Sequence, residues 1–127
     1  MKIERMIDIE DTVRQALSPY IKTYCRPLPK NFTVPSILVT KVGGGEADTI
    51  DDFEIVLDSR AKHEAEADVT LRNAIGILQK VARLQTTDLR HVEINTSGSW
   101  GVDPVRPELA MCSARLSVTV HTENVEV

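Results

Sequence analysis

The sequence predicts a single α+β domain in which two helices cover one face of a mostly antiparallel four-stranded sheet. Apolar residues recur with helical spacing in two segments, residues 9–24 and 64–84. Four other segments either alternate between apolar and polar residues or are rich in β-branched residues, as strands are. The predicted order is α-β-β-α-β-β. Two hairpins joined by a helix most simply share one sheet, with both helices on its apolar face.

The size and composition are typical of one globular domain, and we assign residues 1–127 to it. The chain has 127 residues and a mass of 14.1 kDa, with 42% apolar and 27% charged residues. Its net charge of −4 disfavours a general nucleic-acid-binding protein, which needs clustered Lys and Arg. No apolar run reaches the length of a membrane span, and the charged N-terminal segment does not resemble a signal peptide. We therefore expect no membrane partner.

The two cysteines give no sign of a metal or redox site. Cys25 and Cys112 are far apart in the chain and do not match the spacing of such motifs. We expect them to be reduced thiols in a cytosolic protein.

The first predicted helix runs from about Ile9 to Tyr24. Asp8 is a suitable N-cap, because its side-chain oxygen can accept a hydrogen bond from the first turn. Pro19 removes a backbone donor, so we expect a kink or a break near Leu17.

A hairpin is predicted next. The segment Phe32–Val42 is rich in β-branched residues, and residues 52–58 alternate cleanly between apolar and polar side chains. Gly43, Gly44 and Gly45 would form a flexible turn between these strands, and residues 46–51 would extend the loop.

The second helix is predicted over Glu64–Leu84, with an apolar stripe on one face and charges that suit the helix dipole at both ends. We expect Gly76 inside it to permit close packing against a strand or a helix. Two more strands follow, Arg90–Thr96 and Ala110–His121, and we interpret residues 97–107 between them as a loop.

No cluster of residues predicts a catalytic, cofactor or metal site. The histidines His63, His91 and His121 are scattered, whereas a metal site needs three or four converging ligands. The acidic residues near position 50 lack the spacing of a calcium-binding loop. The glycine turn precedes a strand and lacks the Lys of a phosphate-binding loop. We therefore predict that the protein is not an enzyme and has no cofactor.

The best candidates for partner contacts lie in the two predicted loops. Tryptophan and arginine are enriched in binding hot spots, and the second loop contains the only tryptophan. The alternative is that this tryptophan packs back onto its own domain. The candidate residues are Gly43, Gly44, Gly45, Glu46, Asp48, Trp100, Asp103 and Arg106.

The order of elements and several motifs resemble the tail terminator (tail completion) proteins of long-tailed bacteriophages. The resemblance covers nearly the whole chain and is one of pattern and order. Its motifs are Pro27-Leu-Pro29, Val34-Pro-Ser-Ile-Leu-Val39, Asp52-Phe-Glu-Ile-Val-Leu-Asp58, Arg60-Ala-Lys-His-Glu-Ala-Glu-Ala67, Arg72-Asn-Ala-Ile-Gly-Ile-Leu78 and Pro104-Val-Arg-Pro107 before the last strand.

This resemblance implies a virion subunit that assembles in the host cytoplasm and lies at the head-proximal end of the tail. The subunit would form a hexameric ring that caps the tail tube, ends its polymerisation and provides the surface for the head-tail connector protein. It implies no catalytic residues. Two other classes stay open: another connector subunit, such as a neck or head-closure protein, and an enzyme or ligand-binding domain on a ferredoxin-like scaffold.

Overall fold

A computed structural model describes residues 1–44 and 50–127. The described residues form two helices and seven strands. In chain order these are β1 (Lys2–Arg5), α1 (Ile9–Leu17), β2 (Thr23–Cys25), β3 (Ser36–Gly44), β4 (Ile50–Ala61), α2 (Glu64–Leu84), β5 (Leu89–Val102), β6 (Ala110–His121) and β7 (Glu123–Glu126).

The strands form two sheets, so the predicted four-stranded sheet in the order α-β-β-α-β-β is wrong. The larger sheet is mixed and has five strands in the order β2-β3-β4-β6-β5, with β2 parallel to β3 and the other pairs antiparallel. Strands β1 and β7 pair with each other in a separate antiparallel ribbon. The three strands missing from the prediction are only three or four residues long, too short for a clear alternating pattern.

Helix α1 ends earlier than predicted. It begins after Asp8, whose side chain accepts a hydrogen bond from the Asp11 N–H at 3.1 Å, and it stops at Leu17, two residues before Pro19. The break expected near Leu17 is therefore a true end. The chain then turns and enters β2 at Thr23, within the segment predicted to be helical.

Helix α2 has the predicted bounds, and its apolar stripe, including Leu71 and Leu78, is buried against the sheet. It ends at Leu84, and the C-cap residue Gln85 adopts the left-handed conformation with φ of 53°. Gly76, however, does not serve close packing, because it is exposed and an added Cβ would meet no atom within 4 Å.

The central strands place one core between the sheet and the helices. Along β4, the side chains of Phe53, Ile55 and Leu57 are buried, while Glu54 and Val56 between them are only half-buried. Alternate residues of β6 join the same cluster, together with the buried faces of both helices. The helices thus share one face of the larger sheet.

Strand β5 is longer than predicted and continues to Val102. Its pairing with β6 shifts register between Leu89 and His91 and twice more between Ile94 and Ser99, and Gly98 has a φ of 79°. Residues 97–102, interpreted above as part of a loop, therefore belong to a bulged edge strand.

Candidate functional site

The face of the sheet opposite the helices carries polar side chains that pair with one another. The Thr119 and Ser113 hydroxyls, the Arg115 guanidinium and the Asn95 amide each donate to a side chain on a neighbouring strand. These contacts are Thr119–Asp52 at 2.6 Å, Ser113–Asp58 at 2.5 Å, Arg115–Glu54 at 2.8 Å and Asn95–Ser117 at 2.7 Å. The carboxylates of Asp52, Glu54 and Asp58 are thus each hydrogen-bonded to a side chain of a neighbouring strand.

At one end of this face, a buried ion pair joins β4 to the turn after β5. The Arg60 Nε donates to Asp103 Oδ2 at 2.8 Å, and the two side chains are only 9% and 2% exposed. The other Asp103 oxygen accepts hydrogen bonds from the backbone N–H groups of Val105 and Arg106. The Asp103 carboxylate is therefore fully occupied inside the fold.

The electrostatics of this pair favour the charged carboxylate. Burial alone would raise the pKa of Asp103, but the hydrogen bonds from Val105 N–H, the Arg60 guanidinium and Arg106 N–H, with the positive charge of Arg60, hold the pKa below its ordinary value. Asp103 thus remains ionised at neutral pH and compensates the buried charge of Arg60.

Phe32 lies close to two arginines and extends this cluster. The guanidinium carbons of Arg60 and Arg106 lie 5.9 and 4.8 Å from the centre of its ring, and Arg106 Nη1 also donates to the Phe32 carbonyl at 3.2 Å. Phe32 is 4% exposed and lies outside the main core cluster. Sequence reasoning missed Arg60 and Phe32, because neither a strand-end arginine nor a phenylalanine in a Pro-rich loop has a local signature.

The cluster of Phe32, Arg60, Asp103 and Arg106 fixes the turn that follows β5. It therefore holds the end of β5 in a defined position. Arg106 is only partly available to a partner, since it also contacts Glu108 at 3.2 Å. Asp103 is buried and Arg106 is half-buried, and their roles as partner contacts stay predictions.

Trp100, in contrast, is available at the surface. It is 48% exposed on the edge strand β5 and lies opposite Cys112 of β6, on the side of the sheet that carries the helices. Val102, opposite Ala110 on the same side, is 63% exposed. Helix α2 buries Leu89 and Val92 at the start of β5 but leaves this later part uncovered.

Trp100 and Val102 line an open groove of about 550 Å³ beside the start of α2. We call it the Trp100 groove. Its lining combines apolar side chains with charged groups from both flanking segments. The lining residues are Lys62, His63, Glu64, Trp100, Gly101, Val102, Pro107, Glu108, Leu109 and Ala110. The groove is thus a partly apolar surface next to β5, the last strand on that side of the sheet among the described residues.

The glycine turn is only partly described. Gly43 and Gly44 belong to the end of β3, where the pairing with β4 shifts register. Gly44 has a φ of 84°, and an added Cβ would lie 2.2 Å from the Asp52 carbonyl oxygen, so only glycine fits there. Gly45, Glu46 and Asp48 lie outside the described residues.

The three histidines are dispersed: His63 precedes α2, His91 is in β5 opposite Thr119, and His121 ends β6. No group of three or more His, Cys, Asp or Glu side chains within residues 1–44 and 50–127 is placed to hold a metal ion. Neither helix of this described part is long and apolar enough to cross a membrane.

Comparison of the chain with models of known protein families gives no match, and no curated protein matches it at a significant level.

Proposed function

We propose that the chain is a structural subunit of a long-tailed bacteriophage, which assembles into a hexameric ring on the head-proximal end of the tail tube. The ring ends polymerisation of the tube protein and presents a surface to the head-tail connector protein. The resemblance to tail terminators suggests this role. The exposed edge of β5, with Trp100 and Val102 beside it, is the structural observation that supports it best.

An exposed strand edge is suited to assembly because its free backbone groups can pair with another chain. Natural proteins usually protect such edges, and β5 is partly protected by its bulges. The end of the strand, residues 99–102, is regularly paired with β6 and carries two exposed apolar side chains. Burial of a large apolar side chain contributes about 1.5–3 kcal/mol, so this short surface can contribute substantially to association.

A ring also requires that each subunit use two different surfaces, one for each neighbour. The Trp100 groove is one candidate surface. The cluster around Asp103 holds the groove in place before assembly, which lowers the entropy lost on binding.

The proposal is tested by polymerising purified tail-tube subunits with and without the chain. We expect the chain to bind one end of the tubes and to shorten them, as measured by co-sedimentation and by tube lengths in electron micrographs. Tubes of unchanged length with no bound chain would contradict the proposal. Binding to a portal or adaptor protein in place of the tube would instead favour another connector subunit.

The contribution of the groove is tested with Trp100→Ala. We expect this change to weaken the assembly by about 2 kcal/mol or more, the range of a binding hot spot. Tyr20→Ala is the matched control, since Tyr20 is 72% exposed in the segment after α1 and does not line the groove. If circular dichroism shows that both variants are folded and both cap tubes equally well, the groove is excluded as a contact.

A further inference from the structure

Strands β1 and β7 form a ribbon that is separate from the larger sheet. The two strands pair from Lys2 opposite Glu126 to Arg5 opposite Glu123. Apart from this mutual pairing, neither strand has an extensive contact with another described helix or strand. A two-stranded ribbon of this length is at best marginally stable alone in water and gains stability from further strands or an apolar surface.

One face of the ribbon is suited to such an apolar surface. Ile3 lies directly opposite Val125, and both are half-buried. The flanking charges are already paired, because Arg5 Nε donates to Glu123 Oε1 at 2.6 Å. The ribbon therefore offers an apolar cross-strand pair for docking. The neighbouring charges already have ion-pair partners and need no new ones from the docked surface.

The Trp100 groove has matching features. Residues 99–102 of β5 form four consecutive regular pairs with β6, and β5 is the last strand on that side of the described sheet. The bulges before Ser99 interrupt the strand and confine further pairing to this short segment. Four residues is also the length of each ribbon strand.

The ribbon cannot reach the groove of its own chain. It follows the His121 end of β6 after one residue, whereas Val102 pairs with Ala110 at the opposite end of β6. At about 3.4 Å per residue, the twelve residues of β6 separate these ends by roughly 40 Å. A ribbon strand of four residues spans only about 13 Å. Contact between the two surfaces therefore requires a second copy of the chain.

We propose that the ribbon of one subunit docks on residues 99–102 of the next, adding strands to the edge of β5 and covering Trp100 and Val102 with Ile3 and Val125. The two surfaces lie at opposite ends of β6, so the contact is head-to-tail and can be repeated around a closed ring. This inference rests on the proposed function, because it identifies the partner surface of the same assembly.

The contact is tested by cross-linking on the tail tube. Two variants, Val125→Cys and Val102→Cys, are made in a Cys25→Ser background, where the remaining Cys112 is fully buried. They are mixed, assembled on tubes and treated with a short bismaleimide. We expect a covalent dimer that contains one copy of each variant. A chain with both substitutions should lose its monomer band to a ladder of higher species.

Val125→Cys mixed with Tyr20→Cys is the matched control, because Tyr20 is exposed but does not line the groove. If Val125→Cys does not fold, Ile3→Cys replaces it from the opposite strand. If the chain caps tubes but Val125→Cys and Val102→Cys give no more covalent dimer than the control mixture, the ribbon contact is overturned and the proposed function stands. Failure of the chain to assemble on tubes or in concentrated solution would overturn both.

Discussion

Asp103, one of the residues predicted to contact a partner, forms a buried ion pair with Arg60 in the described structure. A buried ion pair gains little net stability over apolar residues of the same shape, because both charges lose their hydration. Removing only one partner is costly, since it leaves an uncompensated charge in the interior. One nitrogen of Arg60, Nη1, is already buried with no hydrogen-bond partner in the described structure, so Arg60 depends strongly on Asp103.

We expect Asp103→Ala to lower the free energy of unfolding by about 3–5 kcal/mol, as measured by urea denaturation. Glu108→Ala is the control, because Glu108 pairs with Arg106 at an exposed position, and such pairs contribute about 0–1 kcal/mol. Similar stability of the two variants would show that the Arg60–Asp103 pair does not hold the turn.

The same pair predicts how stability depends on pH. The pKa of Asp103 is lowered in the folded state, against an ordinary value of about 3.9 in the unfolded chain. The contribution of Asp103 to the free energy of unfolding is therefore fully present above that ordinary pKa. It is lost as the pH falls through the lower pKa of the folded state. We expect the stability difference between the parent chain and Asp103→Ala to be constant from about pH 6 to 8 and to shrink below about pH 4. A constant difference down to pH 2 would contradict this assignment.

At the scale of elements, two glycines have opposite expected effects. Gly76→Ala should stabilise the chain by about 0.5–1 kcal/mol, because the position is an exposed helix interior with free space around it. Gly44→Ala should destabilise it by about 2 kcal/mol or more, since φ is positive and the new Cβ would meet the Asp52 carbonyl. Thermal unfolding checks both, and a stabilising Gly44→Ala would contradict the described conformation of Gly44 at the end of β3.

The elements predictable from sequence are those that bury a regular stripe. Helix α2 and strand β6 have the predicted bounds, and β4 shows the predicted alternation, because each packs one face on the core. Strands β1 and β7 pack no face on the main core and are held by pairing with each other. Their sequences therefore carry no clear strand pattern. The end of β5 was interpreted as a loop because its side chains are exposed and its glycines and serines are typical of turns.

The candidate site was only partly predictable for the same reason. Composition alone indicated Trp100, because tryptophan is rare and enriched in interfaces. The pairing of Arg60 with Asp103 joins residues 43 positions apart, and no local pattern encodes such a contact. The groove beside Trp100 likewise depends on the position of α2 relative to β5.

At the scale of the whole molecule, the two proposed contact surfaces lie at opposite ends of β6. The ribbon is attached where the strand ends and the Trp100 groove lies where it begins. Head-to-tail repetition of one such contact generates either a ring or an open filament, depending on the rotation between subunits. A tube end with cyclic symmetry would select the ring.

Electron microscopy of tail tubes assembled with a gold-labelled chain tests the central claim most directly. We expect the label at one end of each tube, a ring-shaped density there, and no further growth from that end when tube subunits are added. Label along the whole tube, or unlabelled ends that stop growing without the chain, would contradict a terminating ring.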